Sequence, residues 1–300
     1  MKKVLVTGGN GWIGRFAVER LIERGYDVHI VSRKSGSLPH TQWHTADLLN
    51  PEDTDRLVAG IKPTHLLHFA WETEPGRCWT SLNNYAWVQA SLALLRAFAR
   101  HGGQRVVMAG SCAEYDWSYG QLSEYETPCS YATPYAATKN AMRQLLASLS
   151  ATAGISHAWG RLFFVYGPGD HTARLVSSVI HSLLMGHDVA CTDGYHYRDY
   201  MHAADAGDAF AALLDSDVRG TVNIASGQSV QVRDLVLRIA AKLGGQELVR
   251  FGAIPFPVNE ALFMEAVTER LITEVGWRPA FDLDSGLDDT IAWCRANSSL

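Results

Sequence analysis

Short runs of β-branched and aliphatic residues alternate with longer amphipathic stretches through the first half of the chain. Lys3–Thr7 has the apolar character of a buried strand, and Trp12–Arg24 carries a helical spacing of apolar positions that Gly25 ends. Asp27–Ser32 predicts a second strand. Thr64–Ala70 and Gln104–Ala109 predict further buried strands, with helical patterns around Leu82–Arg100 and Pro134–Ala153. Strand–helix–strand repetition of this kind implies a parallel sheet covered on both faces and joined by right-handed crossovers.

After Gly167-Pro168-Gly169 the rhythm loosens. Shorter elements follow, broken by Gly194, Gly220, Gly227 and Pro255-Phe256-Pro257, before a closing helix pattern near Leu287–Ala296. The expected architecture is α/β: a doubly wound parallel sheet over 1–165, to which the chain returns around 198–225. A smaller mixed α/β region, mainly 166–300, caps it.

Composition narrows the function classes. The 300 residues are 47% hydrophobic and 19% charged, as in globular chains, and the net charge of −5 argues against a general grip on nucleic acid. The longest apolar runs, such as Ala90–Leu95, are too short to span a bilayer, so no membrane partner is expected. The N-terminus reaches glycine too soon to hold a signal peptide. The five cysteines are scattered, without a C-x-x-C pair, which fits free thiols in the cytoplasm and provides no metal site. His65 and His68 flank an apolar run and read as strand residues rather than ligands.

Candidate chemistry begins directly after the first predicted strand. Gly8, Gly11 and Gly14 punctuate Thr7-Gly8-Gly9-Asn10-Gly11-Trp12-Ile13-Gly14, which opens the first predicted helix. Glycine serves here for a sharp turn, for backbone approach to a pyrophosphate, and for close helix–strand packing. The phosphates then meet free amides at a helix N-terminus. The second strand ends in Ser32-Arg33-Lys34 rather than in an acid, and Asp27 falls at its start. A guanidinium there suits the 2′-phosphate of NADP, whereas an acid would suit NAD. The other reading is that Arg33 and Lys34 merely solvate a loop.

Tyr135 and Lys139 lie four residues apart on one predicted helical face, just after Pro134. A nearby ammonium is expected to lower the phenol's pKa towards the working range of an acid–base catalyst. Ser111, just past the strand Gln104–Ala109, is placed to hydrogen-bond a reacting oxygen.

These motifs resemble the extended short-chain dehydrogenases/reductases that act on nucleotide sugars, and the resemblance runs through essentially the whole chain. Thr7–Gly14 is similar to the family's cofactor turn, Asp47-Leu48 to its adenine-contacting pair, and Leu67-His68-Phe69-Ala70 to the strand beside the cofactor. Ser111, Tyr135 and Lys139 align with its catalytic Ser/Thr, Tyr and Lys. Arg161–Gly169 resembles the segment entering the substrate region. Arg198-Asp199-Tyr200-Met201-His202 resembles the motif whose arginine contacts the diphosphate, while Arg174 is a second candidate by position alone. The resemblance also implies a homodimer through the helices around Leu82–Arg100 and Pro134–Ala153.

Departures from the pattern bear on the reaction. The 4,6-dehydratases carry an Asp-Glu pair where this chain has Cys112 and Ala113, which argues against elimination of water. Phe164 replaces an asparagine that often touches the nucleotide sugar, and Trp87 replaces another beneath the nicotinamide. Trp71, Trp79, Trp87 and Trp117 either stack on a sugar or base or pack a core or lid. Glu114 reads as a solvated neighbour of Ser111 or as an additional acid or base. The leading expectation is an NADP-dependent reductase of a nucleotide-linked keto-deoxysugar. An epimerase with tightly bound NAD or NADP is the alternative, and a catalytically silent dinucleotide-binding sensor or assembly protein is a reading from another class.

Overall fold

The computed structural model describes residues 2–258 and 260–297. Its first strand, β1 (Lys3–Thr7), feeds two cores, because Val4 and Val6 pack on one face of the sheet and Leu5 on the other. The rest of the first half follows as α1 (Trp12–Glu23), β2 (Asp27–Ser32), β3 (Thr41–Thr45), α2 (Pro51–Ile61), β4 (His65–His68), α3 (Asn83–Arg100), β5 (Arg105–Ser111), β6 (Gln121–Leu122), α4 (Pro134–Ala153) and β7 (Ser156–Leu162). Then come β8 (Phe164–Tyr166), α5 (Leu175–Leu184), β9 (Val189–Ala190), β10 (Tyr197–His202), α6 (Ala203–Asp215), β11 (Gly220–Ile224) and β12 (Ser229–Gln231). The chain closes with α7 (Val232–Leu243), β13 (Val249–Arg250), β14 (Phe263–Ala266), α8 (Glu269–Thr273) and α9 (Leu283–Asn297).

The large sheet is parallel throughout, in the order β3-β2-β1-β4-β5-β7-β11. Strand order reverses between β1 and β4, and a ligand crevice forms at such a switch point. Ala17, Val18 and Leu21 of α1 and Ala206, Ala209 and Phe210 of α6 bury one face. Leu57, Leu94, Phe98 and Met142, from α2, α3 and α4, bury the other. The doubly wound α/β architecture expected from the alternation is present.

The chain re-enters this sheet through α6 and β11. A second sheet, β12-β10-β14-β6, joins the two halves of the sequence, since Gln121 of β6 pairs with Glu265 of β14. β8 pairs with β10 beside it, and α5, α7 and α9 enclose a separate core that includes Val179, Leu235 and Leu287.

Boundaries moved where local pattern was weak. β5 continues two residues past Ala109, because Gly110 and Ser111 pair with Arg161 and Leu162 of β7. α9 begins at Leu283 rather than Leu287. β3 and α2 had no strong apolar signature, although Asn50 caps α2 by accepting from Glu52 N at 3.0 Å and Pro51 opens it. Among the described residues, no helix is long and apolar enough to cross a membrane.

The β1–α1 turn has no room for side chains at two points. Gly8 has φ +67°, and a Cβ on Gly14 would collide with the Gly8 carbonyl oxygen. Replacing Gly14→Ala should destabilise the protein by about 1–3 kcal/mol through overpacking. Urea unfolding checks this, with unchanged stability as the adverse outcome.

Candidate active site

A cleft of about 950 Å³ opens over the carboxyl ends of the central strands. One wall carries Gly11, Trp12, Ile13, Gly14, Phe69, Trp71, Ser111, Tyr135 and Lys139; the other carries Phe164, Asp170 and Arg174.

At the floor, β1 runs into the glycine turn, and Gly11 N donates to Gly8 O at 2.9 Å. No side chain caps the N-terminus of α1, and no acidic residue lies in its first turn. Its leading amides therefore suit an anion, and the glycines leave space for one, so this turn fits a dinucleotide pyrophosphate. Ala70 N donates to Thr7 Oγ1 at 3.2 Å, which ties the segment after β4 to the end of β1. At the end of β2, Ser32 Oγ accepts from Asn10 Nδ2 at 3.2 Å, and Arg33 and Lys34 are exposed. Asp47 is exposed and accepts from Leu49 N, while Leu48 is buried. Of the expected cofactor residues, Gly8, Ser32, Arg33, Lys34, Asp47, Leu48 and Ala70 lie outside the lining of the deep cleft.

Pro134 opens α4, with Thr133 Oγ1 accepting from Ala136 N at 3.1 Å, so Tyr135 sits in the first turn and Lys139 one turn on. Lys139 Nζ donates to Ala109 O at 2.8 Å and lies 4.0 Å from the Trp71 ring centroid, but 5.9 Å from that of Tyr135. Burial lowers the Lys139 ammonium to about 7, with the Glu114 carboxylate opposing. Burial also raises the Tyr135 phenol above its ordinary value, and a hydrogen bond with Ser111 opposes that. The expected lowering of the phenol by Lys139 is thus not found. Burial raises the phenol, and the ammonium turns instead towards a backbone carbonyl and an indole.

Aromatic rings wall this part of the cleft. Trp79 meets Tyr135 edge-on at 5.6 Å and Trp117 at 6.2 Å, while Trp87 stacks on Trp71 at 6.5 Å. Trp71 is buried and donates to Asn84 Oδ1 at 2.8 Å.

The two candidate arginines are differently placed. Arg174 lines the cleft, with its guanidinium 5.2 Å from the Trp12 ring centroid and Nε 3.4 Å from Asp170 Oδ1. Arg198 is buried, paired with Glu260 and 5.5 Å from the Phe164 ring centroid; it is not part of the cleft lining. Asp170 gave no sequence signal, yet its side chain is buried and burial raises its pKa to about 7.

Residues 4–225 match the family described as "NAD dependent epimerase/dehydratase family". The chain belongs to this family. It is 26% identical to the CDP-abequose synthase of Salmonella typhimurium, over 96% of this chain and 97% of that protein. It is 27% identical to the UDP-glucose 4-epimerase of Corynebacterium glutamicum, over 98% and 96%. Among solved structures, MoeE5 in complex with UDP-glucuronic acid and NAD superposes with a TM-score of 0.85 at 28% identity, covering 99% of this chain and all of that one. The chain is accordingly an enzyme of the extended short-chain dehydrogenase/reductase kind.

Within that family two features of this member stand out. Cys112 and Ala113, where the dehydratases carry acids, are both buried, and burial pushes the Cys112 thiol up to about 12. Glu114 is not solvated as one sequence reading had it. It is fully buried and receives Arg161 Nε at 2.8 Å and Trp159 Nε1 at 2.9 Å. Among the described residues, no group of three or more His, Cys, Asp or Glu could hold a metal ion; His68 instead bonds Thr7 Oγ1 and Ser91 Oγ.

A buried ammonium whose pKa is depressed costs folding free energy below pH 7, and that cost fades as pH approaches the ordinary lysine value of 10.5. Lys139→Met should therefore stabilise the cofactor-free protein by about 1–3 kcal/mol below neutrality, and by less in alkali. Urea midpoints at acid and alkaline pH check this. A gain independent of pH would contradict it.

Proposed function

We propose that this enzyme reduces a keto group on a nucleotide-linked deoxysugar, with NADP as its coenzyme. The observation that carries the reading is the convergence of Ser111, Tyr135 and Lys139 on the cleft that the glycine turn also lines. When bound, the dinucleotide supplies the hydride. Tyr135 gives its proton to the carbonyl oxygen, and Ser111 donates a hydrogen bond to the same oxygen. Lys139 steadies the phenolate left behind and holds the ribose. Gly8, Gly11, Trp12, Ile13 and Gly14 receive the pyrophosphate, while Asp47, Leu48, Phe69 and Ala70 border the dinucleotide.

NADP is favoured over NAD by the exposed Arg33 and Lys34 at the end of β2, a strand with no acid at that end. Trp71 and Phe164 face the sugar, and Arg174 and Arg198 answer its diphosphate, Arg198 by exchanging Glu260 for phosphate. A homodimer through α3 and α4 suits the exposure of Tyr85 and Leu145 on those helices. The buried Cys112 and Ala113 disfavour dehydration. Epimerisation is the second reading, favoured by the epimerase named above and by the NAD in the MoeE5 complex.

NADPH mixed with dTDP-4-keto-6-deoxyglucose and its UDP and CDP counterparts should lose its reduced-nicotinamide absorbance. Tyr135→Phe should slow this roughly 10²–10⁴-fold. Turnover of UDP-glucose without net redox change, on a dinucleotide that co-purifies, would instead establish the epimerase. Inertness in both assays would defeat the enzymatic assignment of this cleft. Arg33→Ala should weaken NADPH binding roughly tenfold or more while sparing NADH; equal effects on both would remove the case for NADP.

A further inference from the structure

The turn that follows β5 contains a carboxylate that the reaction scheme does not use. Glu114 ends the short helical turn Cys112–Glu114 and has no solvent exposure. Its Oε1 accepts from Ser111 N at 2.8 Å, its Oε2 from Arg161 Nε at 2.8 Å, and Trp159 Nε1 lies 2.9 and 3.0 Å from the two oxygens. Trp159 and Arg161 stand on β7, the neighbour of β5, whose register pairs Gly110 with Arg161. The Arg161 guanidinium is itself held 4.0 Å from the Tyr115 ring centroid. A buried carboxylate is costly unless its lone pairs are met, and here three donors meet them.

The consequence falls on Ser111. Its Oγ accepts from Ala113 N at 3.2 Å, so the hydroxyl proton stays available to donate elsewhere. Its backbone N–H is pinned by Glu114 at the same time. There is little slack in the arrangement, because a Cβ on Gly110 would collide with both the Trp159 indole nitrogen and the Glu114 carboxylate. Small shifts at a reacting oxygen are expensive: about 1 Å can cost roughly 100-fold in rate.

We propose that Glu114 is a positioning residue for the reaction centre, clamped by Trp159 and Arg161 so that it aims the Ser111 hydroxyl at the oxygen Tyr135 protonates. This rests on the hydride-transfer reading of Ser111 and Tyr135. It adds that the strand next to β5 sets the angle of attack through one carboxylate.

A double-mutant cycle on the full-length protein tests it. Glu114→Gln, Ser111→Ala and the double variant are compared for kcat with NADPH and dTDP-4-keto-6-deoxyglucose, or with UDP-glucose if only that is turned over. NADPH affinity is measured alongside by tryptophan quenching. E114Q should lower kcat roughly 10- to 100-fold with NADPH affinity unchanged. In the S111A background it should lower kcat little further. Trp159→Phe keeps the ring but removes one donor, and should show a smaller loss, likewise absent in the S111A background; it decides the matter if E114Q does not fold. Losses that multiply with S111A, an undiminished kcat in folded E114Q, or NADPH affinity falling in step with kcat would each overturn the proposal. An S111A variant as fast as wild type would instead refute the reading of Ser111, and Glu114's role with it.

Discussion

Burial at the junction of α4 with the end of β5 sets the electrostatics of the cleft: Lys139 is buried there, and Tyr135 and Ser111 are half-buried. Desolvation disfavours every charged form, so it pushes the Tyr135 phenol up and draws the Lys139 ammonium down towards neutrality. The ammonium is thereby brought to about 7, whereas the phenol is moved further from neutrality and keeps its proton. The surroundings answer with fixed dipoles: the Ala109 carbonyl for Lys139, the Ser111 hydroxyl for Tyr135, and the Trp71 face beneath the ammonium.

The parallel sheet makes such a place available. All seven strands of the large sheet run the same way, so the loops after β1, β4 and β5 gather at one edge, where the order of strands reverses. β5 delivers Ala109 and Ser111 to that edge, and α4 lays Tyr135 and Lys139 across it. The second sheet ties β6 to β14 and β8 to β10, and so brings Phe164 and, just beyond, Asp170 and Arg174 over the opening. Arg174, the candidate arginine that lines the cleft, comes from this second wall. Arg198, the arginine that the motif singled out, is engaged by an acid outside the lining.

Aromatic rings pack around Tyr135 and Lys139. Two ring pairs flank the helix start, Trp79 with Trp117 beside Tyr135 and Trp71 with Trp87 beside Lys139. Such rings suit an apolar substituent better than an additional hydroxyl, since they offer few hydrogen-bond partners for one. Trp71 and Trp79 line the cleft, while Trp87 and Trp117 lie outside its lining and pack against them.

What the sequence determined by itself was whatever depends on near neighbours. Alternation of apolar runs set the doubly wound sheet, glycine spacing set the β1–α1 turn, and a separation of four placed Tyr135 and Lys139 on one side of a helix. These are consequences of backbone sterics and helical periodicity, which act over a few residues. Tertiary structure alone decided the electrostatics. Glu114 looks solvated beside Ser111, yet its partners lie 45 and 47 residues away on β7. Arg198 meets Glu260, 62 residues on, and Lys139 meets a carbonyl 30 residues back. Desolvation and ion pairing depend on what fills the space around a group in three dimensions, and no local spacing records that.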